Sequence, residues 1–537
     1  METPVLIIGG GPVGLAVAGD LAWRGMPSML IERSDGAVRQ PKMDMVLVRT
    51  MEICRRWGIV PEIEGSGYNR AHVQDNVWVT ALAGGYELGR EAFPNCIDEQ
   101  CPPQSPQQRE RAPQNFFDPA LARWVRGFEQ VDLRYQTEIL DFTQDDTGVT
   151  ATIRDINSGE TQEVRAKYLI GCDGAGSFVR EKLGITMTGN PVLTYTTNVV
   201  FRSRDLESIQ DIKLAYRYIF VDEEGTWATL VAIDGRDHFR FSLVGGRDKR
   251  QLTDDELIAA VRRAVGRDCD IEIVSTMPWT RRELVADSYG ENRVWLVGDS
   301  AHQLSPTGAF GMNTGIQESV DIAWKLEACL RGWGGPNLVA TYETERKPVA
   351  VRNVAEAARN LARMLETRTS KPPAEIFMPG PTGDAARKTY GDWYTERMSH
   401  EWFTLGIQLG YRYDDSPICV PDDTTPPPFD AANYIQSSHA GVRAPHVWLA
   451  DGRSTLDLFG KGFVLLRIGK DAPEASALVE AAAARHVPLS VVALDEPEVT
   501  RVYEKSLVLV RPDGQVAWRG DALPADALGL VDRVRGA

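Results

Sequence analysis

The sequence predicts an α/β protein in three parts: a Rossmann-like dinucleotide domain, an antiparallel sheet inserted into it, and a separate α/β domain at the C-terminal end. Three observations carry this. A glycine-rich turn joins two short apolar runs at the N-terminus. Two later apolar runs each end in a Gly/Asp turn. A Pro/Asp/Thr-rich stretch at 421–428 precedes a strand-rich tail.

Val5-Leu6-Ile7-Ile8 is a buried-strand run that ends in Gly9-Gly10-Gly11-Pro12-Val13-Gly14. Leu15, Ala18, Leu21 and Ala22 then recur at helical spacing up to Gly25, and Met29-Leu30-Ile31 forms a second strand that stops at Glu32. In such a βαβ unit Gly9 makes the tight turn, Gly11 lets the backbone approach a pyrophosphate, and Gly14 packs helix against strand. The anion rests on the helix N-terminus. Glu32 is placed to accept hydrogen bonds from ribose hydroxyls, and an acid there argues against a 2′-phosphate. The ligand is therefore FAD or NAD, with a purely structural glycine turn as the plain alternative.

Tyr168-Leu169-Ile170 leads into Gly171-Cys172-Asp173-Gly174, and Val294-Trp295-Leu296-Val297 leads into Gly298-Asp299. Between them, 226–231 and 238–243 alternate with a period of two, which marks antiparallel strands. After Gly311, the positions Ile316, Val320, Trp324 and Leu330 mark a helix, and helical sequence continues to about 370. Strands at 463–466, 489–494 and 507–510 surround an Ala-rich helix near 472–485. The expected boundaries are 1–186 with 276–372 for the nucleotide domain, 187–275 for the inserted sheet, 373–429 for a helical connector and linker, and 430–537 for the last domain.

Composition narrows the function. A formal charge of −16 opposes nucleic acid and anionic membrane surfaces as partners. The longest apolar runs fall short of a membrane span, and Met1-Glu2-Thr3-Pro4 lacks the basic start of a secretory signal, so a cytoplasmic protein is expected. Seven scattered cysteines without CxxC suggest neither a disulfide framework nor a zinc ribbon, and with no HExxH a metal is not expected.

The segments GGGPVG (9–14), CDGAGSFVR (172–180) and GDSAHQLSPTGAFGMNTG (298–315) resemble the GxGxxG, DG and GD motifs of the single-component flavin aromatic hydroxylases. RTMEICRRWGI (49–59), PQNFFDPAL with Gln114, and WKLEACL (324–330) are similar to that family as well. The phenol hydroxylase branch is closest in flavour. RAPHVWLADGRSTLDLFGKGFVLL (443–466) and LVRPDGQVAWRGD (509–521) resemble its thioredoxin-like C-terminal domain, here without the CxxC that thioredoxin chemistry requires.

The resemblance implies FAD at the first site and NADPH or NADH as a transient reductant. It implies O2 and a small aromatic substrate, hydroxylated through a flavin C4a-hydroperoxide, and it allows a homodimer. Asp299 would accept a ribityl hydroxyl. Gly311, Met312 and Asn313 would present backbone N–H groups to the flavin N1–C2=O edge, and Pro306 would bend its loop against the isoalloxazine, or be simply a turn proline.

Asp173 and Gly174, with Arg180, resemble the patch beside the pyrophosphate, although Ser177 and Arg180 also suit a helix cap and a surface charge. Arg33 is counted with Glu32 among cofactor contacts. Arg49 and Gln114 resemble flavin-contacting positions, Arg49 with a salt bridge as its alternative. Asp44 stands where the branch has an acid facing the substrate hydroxyl, so it is the candidate base. A solvated turn, or pairing with Lys42 or Arg49, is the alternative.

Three positions depart from the pattern. Lys42 replaces an arginine and loses the bidentate fork, Ala309 replaces a glycine, and Asp321 replaces an asparagine. Rival functions are a flavin halogenase, a non-oxygenating flavin dehydrogenase or reductase, and a flavin-bearing scaffold. Against the first, no two of the 13 tryptophans have the WxW spacing.

Overall fold

The computed structural model describes residues 1–244, 246 and 252–537. The apolar runs become a twisted sheet whose central path runs Gly290–Glu291, Val294–Leu296, Thr161–Gly171, Glu2–Ile8, Ser28–Glu32, Val131–Tyr135. Glu2–Ile8 pairs in parallel on both sides, with Ile7 opposite Leu30 and Ile170, and Leu169 in turn lies opposite Val294. A strand covered on both faces must be apolar at successive positions, and Val5, Leu6, Ile7 and Ile8 are all buried. Because these neighbours are parallel, their C-terminal ends share one edge of the sheet. The turns at Gly9, Gly171 and Gly298 meet there, although they are far apart in sequence.

The start of Thr161–Gly171 pairs with Gly148–Asp155, which pairs with Thr137–Asp145 in an antiparallel meander. The second sheet has the order His302–Gln303, Glu272–Ala286, Met187–Arg202, His238–Leu243, Gly225–Ala232, Arg217–Asp222, Asn76–Val79, Glu87–Glu91. Its last two strands come from well before residue 187, and Asn76–Val79 joins in parallel, Val77 opposite Tyr218. Period-two alternation gives this sheet two faces. Phe201, Phe220, Leu230, Phe239 and Phe241 pack into one core with Val261 and Val265 of the helix Asp254–Val265, whereas Thr196, Asn198, Thr229, Arg240 and Ser242 line a cavity.

The C-terminal sheet has the order Leu489–Leu494, Phe463–Ile468, Leu507–Val510, Val516–Gly520, its first pair parallel and the others antiparallel. The helices Ser476–Ala484, Pro497–Tyr503 and Ala527–Val534 complete a thioredoxin-like unit. Its core runs into the flanking helix Phe310–Leu330: Trp324 stacks on Trp333 at 6.2 Å and meets the edge of Phe463 at 6.1 Å. The segment read as a linker is pinned to this unit, since Val420 bridges to Trp518 and Arg519 donates to Asp422 at 2.7 Å. Among the described residues no helix is long and apolar enough to cross a membrane.

Candidate active site

A cavity of about 710 Å³ begins at Gly11 and Pro12, passes the 303–312 loop and ends against the polar face of the second sheet. That volume suits a ligand site. At its first end the three glycines differ as the motif requires. A Cβ on Gly9 would lie 2.4 Å from the Cys172 carbonyl oxygen and one on Gly14 only 1.9 Å from the Gly9 carbonyl oxygen, while one on Gly11 would meet nothing within 4 Å. Gly11 is therefore the open cradle, and it stands at the N-terminus of Pro12–Trp23 without a side-chain cap.

The second long helix, Phe310–Leu330, also begins on the cavity without a side-chain cap, with Gly311 and Met312 in the wall. Two helix N-termini with unsatisfied N–H groups thus face one space. Asp299 lines the same space, and its carboxylate has no hydrogen-bond partner among the described residues. It is reachable through the cavity yet deep in the protein, and that depth pushes its pKa above the ordinary 3.8. An unpaired acceptor, a glycine cradle and free N–H groups together fit a flavin dinucleotide. Lys42, Gln114 and Pro306 are also in the wall. Gln114 accepts from the Lys42 amide at 3.0 Å.

Some expected contacts lie elsewhere. Neither Glu32 nor Arg33 lines the cavity. The Glu32 carboxylate accepts from the Gly10 and Ser34 amides, both at 2.7 Å, so it braces the glycine turn, and Arg33 is exposed beyond the strand. Asp173 supports its loop by accepting from the Ser177 hydroxyl and the Val179 amide. The Asn313 side chain accepts from the Leu47 amide at 2.9 Å and donates to the Met45 carbonyl at 3.1 Å, tying down the neighbouring chain.

Arg49 follows its salt-bridge alternative. Its guanidinium is buried, away from the cavity, and bonds Glu52 at 2.9 Å, the Asp513 carbonyl at 3.2 Å and the Tyr411 hydroxyl at 3.3 Å.

Asp44 is in the cavity wall and pairs with neither Lys42 nor Arg49. Arg111 donates to it at 3.3 Å and Arg240 at 3.1 Å, and the Tyr216 hydroxyl also donates to it. Burial works against its charge, but the two guanidiniums and Tyr216 outweigh burial and hold its pKa below 3.8. Tyr216 lies under Arg111, 3.5 Å from ring to guanidinium, and its hydroxyl is held far above its ordinary pKa by burial. On the strand Arg217–Asp222, Arg217 lines the cavity and Tyr218 is in the hydrophobic core.

Sequence reasoning missed the pair under the 298 loop. Buried Glu318 accepts from the Gly298 amide at 2.8 Å and bonds His302 Nε2 at 2.9 Å. Burial disfavours the imidazolium, but Glu318 prevails and raises its pKa. The pair fixes the turn that carries Asp299. His302 lies inside a motif already singled out, so its signal was present, while Glu318 is one more acid on a helix.

Residues 2–357 match the FAD binding domain family, and residues 437–536 match the aromatic-ring hydroxylase C-terminal family. The chain belongs to the FAD-dependent aromatic-ring hydroxylases. It is 35% identical to a putative polyketide hydroxylase of Streptomyces halstedii, over 98% of this chain and 95% of the relative. It is 30% identical to the 2,4-dichlorophenol 6-monooxygenase of Delftia acidovorans, over 97% and 95%.

The rebeccamycin biosynthetic enzyme RebC with reduced flavin superposes with a TM-score of 0.92 at 41% identity, covering 100% of this chain and 99% of the other. Aklavinone-11 hydroxylase with FAD and aklavinone superposes at 0.79 and 29%, covering 99% and 98%. The chain is accordingly a flavoprotein monooxygenase that acts on aromatic substrates with FAD, reduced by NAD(P)H. The halogenase and dehydrogenase alternatives find no support among these relatives.

Proposed function

We propose that this enzyme uses O2 to hydroxylate a phenolic ring of a polycyclic aromatic, and that Asp44 acts on the phenol hydroxyl through Tyr216. The carrying observation is the buried Asp44–Tyr216 hydrogen bond on the cavity wall between the flavin loop and the sheet. Support for a large ring system comes from the relatives named for polyketides and aklavinone, and from a cavity that crosses several strands of the sheet.

FAD, when bound, would supply an oxidised ring that NAD(P)H reduces and that, once reduced, activates oxygen for attack by an electron-rich carbon. Gly11 and the two helix N-termini would hold its phosphates and its ring edge, and Asp299 a ribityl hydroxyl. Pro306 would limit how the ring and the substrate approach each other.

Asp44 stays ionised because Arg111 and Arg240 flank it. A carboxylate that draws the Tyr216 proton makes Tyr216 Oη a better acceptor, and a phenol donating to that oxygen gains electron density in its ring. Attack at the ring carbon is thereby favoured without full proton transfer to a weakly basic carboxylate.

Replacing Asp44 by Asn tests this. FAD content and NAD(P)H oxidation should persist, hydroxylation should fall by roughly 10²–10⁴, and hydrogen peroxide should appear in its place. Hydroxylation fully coupled to NAD(P)H oxidation in that variant, below the substrate's own pKa, would assign the role elsewhere.

A further inference from the structure

The sheet end of the cavity carries more positive charge than it can neutralise. The lining as a whole has seven basic and five acidic side chains, in a protein of net charge −16. Four of the guanidiniums, those of Arg111, Arg217, Arg240 and Arg281, share two carboxylates. Asp44 serves Arg111 and Arg240, and Glu401, from the helix Pro381–Trp402, serves Arg217 at 3.2 Å. Arg281 has none.

Arg281 is on the strand Glu272–Ala286, opposite Thr194, and is only 8% exposed. Its Nε has no partner among the described residues. Among those residues its one hydrogen-bond contact is weak, from Nη1 to the Met364 sulfur at 3.9 Å. Burial, reinforced by the neighbouring Arg217 charge, brings its pKa down to about 10. Arg368 and Arg240 add to that repulsion, and Glu401 opposes it. It remains a cation at neutral pH. A buried guanidinium without an anion is costly, and a fold that keeps one beside a ligand cavity keeps it for a charge that arrives with the ligand. Other residues of the cavity wall also hold unpartnered polar atoms, among them Thr196 Oγ1, Glu401 Oε2 and Trp402 Nε1.

We propose that Arg281 is the anchor for an anionic group, a carboxylate, on the aromatic substrate. This rests on the hydroxylase reading and narrows it: the substrate is an aromatic acid whose carboxylate binds at the sheet end while its hydroxylated ring lies toward the flavin loop. The other anion in the cycle, a phosphate of the reductant, is a separate source and is read separately in the test.

Titrate the oxidised FAD-loaded enzyme with 3-hydroxy-2-naphthoate and with 3-hydroxy-2-naphthamide at fixed ionic strength, following the flavin absorbance. The acid should bind about tenfold or more tighter than the amide, the range of a charged hydrogen bond. In Arg281→Met the acid should lose that advantage while amide binding and the KM for NAD(P)H stay unchanged. Arg281→Lys should restore part of the preference. The ligand-free Arg281→Met enzyme should melt at or above the wild-type temperature, because an unpaired buried charge has been removed.

A wild-type enzyme that binds both probes equally, or binds neither, overturns the proposal. So does an unchanged preference in Arg281→Met, a rise confined to the KM for NADPH, or a marked drop in melting temperature. Acid bound through Arg281 but never hydroxylated would leave the anion site standing and count against the hydroxylase reading. Hydroxylation without acid preference would do the reverse.

Discussion

At the scale of single residues, the placements that were legible are those that depend on the chain within a few positions. Asp299 follows a strand and a glycine, and that local context alone puts a carboxylate at the sheet edge where dinucleotides bind. Its free acceptors and its position in the wall lead to an expected outcome. Asp299→Ala should weaken FAD binding by roughly ten- to a hundredfold, the equivalent of one hydrogen bond to a charged group, measured by flavin retention on dilution. Burial raises its pKa, and bonding to a ribityl hydroxyl would favour the charged form. FAD affinity should therefore be full above that raised value and decline as pH falls through it. Arg49 shows the opposite case. Its motif is intact, but Glu52, Tyr411 and Asp513 claim the guanidinium, and two of these come from segments whose placement only the folded chain decides. Asp44 is intermediate: its importance was readable, while its partners Arg111, Tyr216 and Arg240 lie on three separate segments.

At the scale of elements, the first βαβ unit was legible because each of its glycines answers a local steric demand. The second sheet was legible only in part. Asn76–Val79 is a four-residue strand whose partner, Arg217–Asp222, lies far along the chain, and nothing local announces a parallel pairing of that kind. The departure at Ala309 carries a local cost in the structure. It is the residue before the helix Phe310–Leu330 and has φ of 57° in the left-handed region, where a Cβ is strained. Ala309→Gly should therefore stabilise the enzyme by about 1 kcal/mol, seen as a higher midpoint in urea with an unchanged slope. A lower midpoint would mean that the methyl group supports the loop by packing.

At the scale of the whole molecule, the sequence suggests a separate C-terminal domain, and the structure ties that domain to the flavin domain through buried ion pairs. Two of its arginines neutralise carboxylates buried in the flavin domain. Arg443 bonds Glu52 through Nε at 2.9 Å, and Arg511 bonds Asp321 at 3.2 Å and Glu345 at 2.9 Å, beside Lys325. This explains the acid at position 321: the helix Phe310–Leu330 offers Asp321 and Lys325 to a network completed from across the interface. Such partners are hundreds of residues apart and each reads as an ordinary charge, so no pattern in the sequence pairs them. Glu52 is held below its ordinary 4.5 by Arg443 and Arg49 against the opposing effect of burial. Its contribution is therefore complete above that ordinary value and is lost as pH falls through the depressed one, so acid should loosen the interface first. Removing residues beyond about 430 would strip both arginines and leave Glu52, Asp321 and Glu345 buried with Arg49 and Lys325 as their remaining close cations. The truncated chain is expected to be insoluble or unfolded and to lose FAD with its fold. Arg511→Met isolates the charge effect, since breaking a buried pair by removing one partner costs roughly 3–5 kcal/mol. It should lower the melting temperature sharply at neutral pH. Arg511→Met combined with Glu345→Gln should recover part of that loss, because Glu345 is the carboxylate that Arg511 keeps ionised, and its stranded charge is removed as well. A single variant as stable as wild type, or a double variant no better than the single, would show that the domains are held by the Trp324, Trp333 and Phe463 packing and that the ion network contributes little.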